Sequence, residues 1–242
     1  FSFWKSKLKK WLADKEFDVV FFMAGDGLFA YDVYRFVMKN ISAKGCLFFT
    51  DDYIIGKTSH SPIAHLRRTL LKRKIKKTLP FVKEMYVISD EMKDAYHNIF
   101  HMDSYVIRNF SVERNTLIEK KQSDLSFGDL KMVYAGGLHY NRWRVLSDIA
   151  EALKNVNKKN NTNCILKIYS AQNLDPEIIE RINIDGVSEF CGGVSADKIS
   201  EIYSDSDILL HVESFDKKSI ASTKYSFSTK IPEYLSAGKC IF

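Results

Sequence analysis

Phe227-Ser228-Thr229-Lys230-Ile231-Pro232-Glu233-Tyr234-Leu235-Ser236-Ala237-Gly238-Lys239 carries the marks of a helix with both ends signalled. Ser228 and Thr229 are candidate N-caps, and Pro232 fits the first turn, where its missing N–H costs nothing. Gly238 suits the left-handed residue just past the helix. Cys240-Ile241-Phe242 then reads as the start of a buried strand. At the helix opening, free backbone N–H groups and the positive end of the dipole attract an anion such as a phosphate. Lys230 adds a full charge there. Glu233, three residues on, can face the same ligand. A cation for a phosphate and a carboxylate for a sugar hydroxyl are what a nucleotide-sugar needs. The same residues also fit an ordinary capped helix with a surface Lys–Glu pair.

Upstream, the chain repeats one unit. Residues 130–135 read as a strand, Gly136-Gly137-Leu138-His139-Tyr140-Asn141-Arg142-Trp143-Arg144 as a turn, and Val145, Leu146, Ile149, Ala150 and Leu153 as one face of a helix. A glycine turn between strand and helix lets the backbone approach a phosphate closely. Residues 165–169 form the next strand, ending at Tyr169, and residues 187–194 another, entering the Gly192-Gly193 turn. Residues 207–213 lead as a strand into Glu213. His211 within it reads as a satisfied core or strand-end histidine. Residues 215–227 read as an extended loop.

The earlier half has the same rhythm. Residues 17–24 form a near-continuous apolar run, as in a parallel strand buried on both faces. Gly25-Asp26-Gly27 follows, then a helix to about Met38. Residues 45–50 form a second buried strand, ending at Asp51-Asp52. Ligands of open α/β sheets sit at the carboxyl ends of strands. Asp26, Asp51 and Asp52 are therefore weak candidates for an acceptor side, although each also suits a turn or helix cap. Residues 84–89 and 104–109 are further strands around a helix capped by Ser89 or Asp90. Residues 111–129 are polar and aperiodic and read as a linker. Alternating strands and helices imply two parallel-sheet α/β domains, residues 1–110 and 130–242.

Charge divides the chain. Of its 242 residues, 1–128 hold 22 Lys/Arg against 15 Asp/Glu, whereas 129–242 hold 14 against 15. Residues 61–79 carry Arg67, Arg68, Lys72, Arg73, Lys74, Lys76 and Lys77, with apolar residues at helical spacing between them. Residues 3–13 form a second basic amphipathic helix. A plain solvated face for 61–79 and a surface helix packed on a sheet for 3–13 fit such segments, and an anionic membrane surface suits them as well. Few aromatics interleave with the cations and no nucleic-acid motif is present, so nucleic acid ranks below it. No run of about 18 apolar residues occurs and the start is not a signal peptide, so a cytoplasmic protein is expected, peripheral at most. The absence of an initiator Met, with a helix at one end and a strand at the other, reads as a fragment. Cys46, Cys164, Cys191 and Cys240 lack metal spacing and are expected buried and reduced.

The order Ser-Thr-Lys-Ile-Pro-Glu-Tyr-Leu-x-x-Gly-Lys, preceded by Gly-Gly-Leu and Arg142, resembles the donor site of retaining GT-B glycosyltransferases, which build capsules, lipopolysaccharide and glycolipids. The resemblance covers residues 130–242 well and 80–110 loosely. It implies two Rossmann-like domains in GT-B architecture and transfer from a nucleotide-diphosphate sugar with retention and without a metal. No cofactor beyond that co-substrate is implied. Arg142, with Arg144 as runner-up, and Lys230 would neutralise the leaving diphosphate, beside Ser228 and Thr229. Glu233 would bind the ribose. Gly136, Gly137, Tyr169, Gly192, Gly193 and Glu213 would line the donor. The family often has a second Glu eight residues before this one. Here that position is Tyr225, and Glu213 is the nearest earlier Glu. Asp51-Asp52 is adjacent rather than Asp-x-Asp, so no metal site is expected. A saccharide or lipid-linked acceptor follows by analogy. A nucleotide-sugar epimerase or hydrolase is a second reading, and a catalytically inactive GT-B-like accessory subunit a third.

Overall fold

The computed structural model describes residues 3–56, 59, 61–110 and 128–242. The expected linker falls almost entirely outside them. The chain forms two compact units. One comprises Phe1–Asn109 with Ala221–Phe227, the other Phe110–Ile220 with Ser228–Phe242. The sequence places 221–227 with the second domain. In the structure Tyr225 packs against the core of the first unit, and its carbonyl accepts a 3.0 Å hydrogen bond from the Ser89 hydroxyl.

The first unit runs α1 (Phe3–Leu12), β1 (Val19–Ala24), α2 (Leu28–Asn40), β2 (Lys44–Phe49), α3 (Pro62–Thr78), a 3-10 turn (Leu79–Phe81), β3 (Glu84–Val87), α4 (Asp90–Phe100) and β4 (Ser104–Val106). The caps follow the local chemistry. The Ser61 hydroxyl accepts from Ala64 N–H, with Pro62 in the first turn, and the Ser89 hydroxyl accepts from Met92 N–H. The four strands are parallel in the order β1-β2-β3-β4. Right-handed crossovers stepping in one direction put α2, α3 and α4 on one face. That face buries Tyr31, Leu47, Phe49, Leu71, Ile75, Met85, Met92 and Tyr96. The other carries a row of rings, Phe21–Phe48 at 5.8 Å, Phe21–Tyr86 at 5.9 Å and Tyr86–Tyr105 at 5.9 Å. The expected double burial of β1 is thus corrected: it is an edge strand whose Val19, Phe21 and Met23 are exposed.

The second unit runs β5 (Lys131–Ala135), α5 (Arg142–Asn160), β6 (Ile165–Tyr169), α6 (Pro176–Ile182), β7 (Ser188–Gly192), α7 (Ala196–Ser204), β8 (Ile208–Leu209), the start of α8 (Lys217–Thr223, whose last three residues belong to the first unit), α9 (Lys230–Ser236) and β9 (Cys240–Ile241). Its sheet is also parallel, in the order β7-β6-β5-β8-β9. Both faces are covered: one core gathers Tyr134, Leu146, Ala150, Leu166, Ile168 and Ile182, the other Val133, Leu209, Tyr203 and Tyr234. The strand order reverses between β5 and β8, the kind of switch point at whose carboxyl side open α/β sheets bind ligands.

Two further expectations change. The extended loop at 215–227 contains α8. Its low-propensity sequence hides it, but Asp216 caps it, its Oδ1 accepting from Lys218 N–H at 3.1 Å and Ser219 N–H at 3.0 Å. Cys46 and Cys164 are buried, but Cys191 is half-buried and Cys240 exposed, because β9 is the sheet's edge. Gly238 has φ of +64°, as its position past α9 requires.

Candidate functional site

The loop ends of the second sheet meet in a row. Gly136 N–H donates to the Tyr169 carbonyl and Ser170 N–H to that of Gly192, each at 2.9 Å. This ties the β5, β6 and β7 turns together. Gly192 adopts φ of +72°, and a Cβ on Gly193 would meet the Ala171 Cα at 2.9 Å, so both glycines are needed by the backbone.

At the switch point three charged groups converge. The Arg142 guanidinium, in the first turn of α5, takes Glu213 in a bidentate grip, Nη2 to Oε1 at 2.7 Å and Nε to Oε2 at 3.1 Å. Such a pair fixes the plane of the guanidinium. Its remaining nitrogen, Nη1, lies 3.2 Å from His139 Nε2. Burial, with Arg142 beside it, lowers the His139 pKa, so the neutral ring accepts there. Lys230, the first residue of α9, lies across the Gly136 backbone, and a Cβ at 136 would collide with its ammonium end. Its Nζ donates to the Tyr134 hydroxyl at 3.0 Å and sits 4.3 Å from that ring's centre. The Tyr134 hydroxyl in turn donates to the Gly137 carbonyl at 2.7 Å. Burial, and then Arg142 as a like charge, pull the Lys230 pKa down to about 8, against the opposing pull of Glu213 and Glu233. A half-buried lysine with a lowered pKa, beside an arginine, is poised to gain an anion.

The turn holding Arg142 is strained and strapped. Tyr140 and Asn141 have φ of +57° and +58°, costly for residues with side chains. Asn141 Nδ2 donates to Asp216 Oδ2 at 3.2 Å, and the buried Ser219 hydroxyl lies 3.0 Å from the Tyr140 carbonyl. The hydroxyls of Ser214 and Ser219 hold the Asp216 carboxyl well below the usual carboxylate range.

Arg142, Glu213, Lys230, Gly136 and Gly137 therefore come together. Arg144 lies apart from them, over the Trp143 ring at 5.2 Å. Glu233 is exposed in the first turn of α9 and joins them through its charge, which acts on both Lys230 and the Tyr203 hydroxyl. Thr229 occupies the N-cap position of α9 in a helical conformation without a side-chain cap bond, and the Ser228 hydroxyl accepts from Lys230 N–H at 3.4 Å. His211 departs from the satisfied reading: its Nδ1 is buried without a hydrogen-bond partner among the described residues, and its Nε2 lies 3.9 Å from Glu213. Tyr134, His139, Asn141 and Asp216 are site residues that sequence reasoning missed. Nearness to Gly136-Gly137 was the signal for the first three, and Asp216 had none.

In the first unit each acidic candidate has a structural partner. Asp26 pairs with Arg67 at 2.7 Å. Asp51 accepts from the Ser226 hydroxyl at 3.0 Å. Asp52 is the acceptor of its turn, bonded to Ile54 N–H at 2.9 Å, to Ile55 and Gly56 N–H, and to the buried Tyr96 hydroxyl at 3.1 Å. Among the described residues no three His, Cys, Asp or Glu side chains converge as a metal cage, and no helix is long and apolar enough to cross a membrane.

No protein-family model and no curated protein matches this sequence. Solved structures do match it. The Staphylococcus aureus protein TarM, solved as a variant with fondaparinux, alpha-GlcNAc-glycerol and UDP, superposes with a TM-score of 0.58 at 15% identity, over 98% of this chain and 44% of that one. The pneumococcal O-GlcNAc transferase GtfA, with UDP and GlcNAc, gives 0.61 at 16% identity, over 99% and 44%. The lipopolysaccharide outer core galactosyltransferase WaaB gives 0.58 at 12%, over 98% and 59%. The chain thus spans about half the length of the structures it matches. Likeness at this identity is likeness of fold: the chain is built of two parallel-sheet α/β units of the GT-B class.

Proposed function

We infer that this chain is the donor-binding part of a glycosyltransferase that moves a sugar from a nucleotide-diphosphate sugar to a saccharide or lipid-linked acceptor. The observation that carries the reading is the convergence of Arg142 and Lys230 over the Gly136-Gly137 turn at the switch point of the second sheet. Two cations beside a glycine turn are what a diphosphate requires. The similar structures that hold UDP and sugars support the same choice of ligand.

The residues take these roles. Glu213 orients the guanidinium, and the Nη1 hydrogen not directed at His139 is left for a phosphate oxygen. Lys230 takes up a proton as the diphosphate arrives, because an added anion reverses the effect of its burial. Together they stabilise the charge that develops on the leaving diphosphate, which is the main catalytic contribution, without a metal and with retention at the anomeric carbon. Glu233, with Ser228 and Thr229, holds the nucleoside side, and Gly192, Gly193 and Tyr169 line it. The acceptor side lies at the carboxyl ends of β1 and β2, near Asp26, Asp51 and Asp52. The protein works in the cytoplasm, where the basic helix α3 faces an anionic membrane, in assembly of capsule or lipopolysaccharide.

The test is transfer itself. The whole protein is incubated with UDP-, GDP- and ADP-sugars and lipid-linked or saccharide acceptors, in EDTA, and the product's anomeric configuration is read by NMR. The reading predicts acceptor-dependent release of one nucleoside diphosphate, with the donor's configuration kept. Epimerised donor without transfer would replace it with the epimerase reading. An inert protein that binds no nucleotide would replace it with the accessory-subunit reading.

A further inference from the structure

Away from the donor site, the first unit holds a cleft of about 550 Å³ among α1, α2 and the end of α3. Its walls are aromatic: Trp4 meets Phe29 at 5.2 Å and Phe36 at 5.3 Å, both edge-on, and Phe81 closes the far side. Its rim is cationic. Lys5 Nζ stands 5.7 Å from the Trp4 ring and Lys39 Nζ 5.6 Å from that of Phe81, with Lys77 also lining the cleft. The lining has one carboxylate, Asp32, and it is already taken by Arg35 and Lys74. Lys5, Lys39 and Lys77 are exposed and have no carboxylate partner among the described residues. The basic segment read from the sequence is meanwhile partly spent inside the unit: Arg67 pairs with Asp26, Lys74 with Asp32, and Arg68 donates to the Ser59 carbonyl.

We propose that this cleft binds a phosphate-bearing anion, supplied by the headgroups of an anionic lipid surface. Three unpaired ammonium groups around an aromatic floor suit a phosphate better than any neutral ligand. A lipid source follows from the surroundings. Phe3, next to Trp4 on α1, is 72% exposed, and Phe29, in the cleft lining on α2, is 53% exposed. Exposed aromatic side chains on α1 and α2, the helices that carry Lys5 and Lys39, are the chemistry of a membrane interface. The proposal places the contact in a defined cleft rather than along the whole of α3, and it stands independently of the donor-site reading.

The test compares two triple variants of the whole protein on sedimenting vesicles. K5Q/K39Q/K77Q empties the cleft rim. K9Q/K10Q/K76Q removes the same charge from α1 and α3 outside it, and all six lysines are exposed. Unchanged melting curves show that both variants fold. Wild type is expected on phosphatidylglycerol vesicles and not on phosphatidylcholine vesicles. The cleft variant should lose at least about 10-fold in partitioning and the control no more than about 3-fold. Equal losses in the two variants would overturn the cleft in favour of diffuse charge, and so would no binding by wild type to either vesicle or to phosphate. Calorimetry with inorganic phosphate and pyrophosphate separates the sources. Saturable pyrophosphate binding, lost in the cleft variant and without vesicle binding, keeps the anion site and overturns its lipid source.

Discussion

Each unit makes a glycine turn after its first strand, β1 in one and β5 in the other, and only one of these two turns is filled. After β1, a Cβ on Gly25 or Gly27 would meet nothing within 4 Å. After β5, a Cβ on Gly136 would strike Lys230, and one on Gly137 would meet the His139 ring at 2.5 Å. The sheets differ in the same sense. The first is packed on one face and bares a row of rings on the other, while the second is packed on both and changes strand order at the filled turn. A glycine turn alone is a local geometry. It becomes a site when the sheet order returns a distant side chain to it, here Lys230 from 94 residues further along the sequence.

The sharpest test of this contrast is packing. Leu166 is wholly buried in β6, and Leu166→Ala should cost about 2–5 kcal/mol in denaturant unfolding. Phe21 is half-exposed on the bare face, and Phe21→Ala should cost about 1 kcal/mol or less. Equal costs would show that the outer face of the first sheet is covered.

Lys230 gives a prediction with a sign. Its folded pKa, about 8, lies below its ordinary value of 10.5. Between those values the unfolded chain binds more protons, so stability rises with pH across that window, and the full cost of burying the charge is present below pH 8. Lys230→Met should therefore stabilise the fold by about 1–3 kcal/mol at pH 7 and by nothing above about pH 10.5, while weakening nucleotide binding. A destabilised K230M at pH 7 would mean that the ammonium is well solvated.

The two turns can be compared directly by calorimetry. Gly136→Ala should weaken nucleoside-diphosphate binding about 10- to 100-fold, near 1.4–2.8 kcal/mol, by displacing Lys230. Gly25→Ala should leave both binding and stability within about 0.5 kcal/mol. Smaller again, Tyr134→Phe removes the acceptor of Lys230 and the donor to the Gly137 carbonyl, and should cost about 1 kcal/mol of stability.

What the sequence made legible was what is local or periodic: the βα rhythm, the Gly-Gly turn, Arg142 at a helix start, and Gly238 in its left-handed position. What it hid was set by pairing at long range. Glu213 lies 71 residues from the Arg142 it grips, and Tyr134 lies 96 from Lys230. Neither distance means anything until β8 is placed beside β5. Asp216 was hidden for a second reason. It caps a helix whose own residues do not favour helix, so the strap on the Tyr140–Asn141 turn had no element to belong to. The face of β1 misled in the opposite way, since an apolar run is the same whether one face is covered or two.

The most direct test is titration of the whole protein with UDP, GDP and ADP, repeated with Arg142→Ala and Lys230→Ala. The account predicts micromolar binding of one nucleotide, weakened in each variant by about 1–3 kcal/mol. It also predicts proton uptake near pH 8 that disappears with Lys230. Binding untouched by both substitutions, or none to any of the three nucleotides by the folded protein, would contradict it.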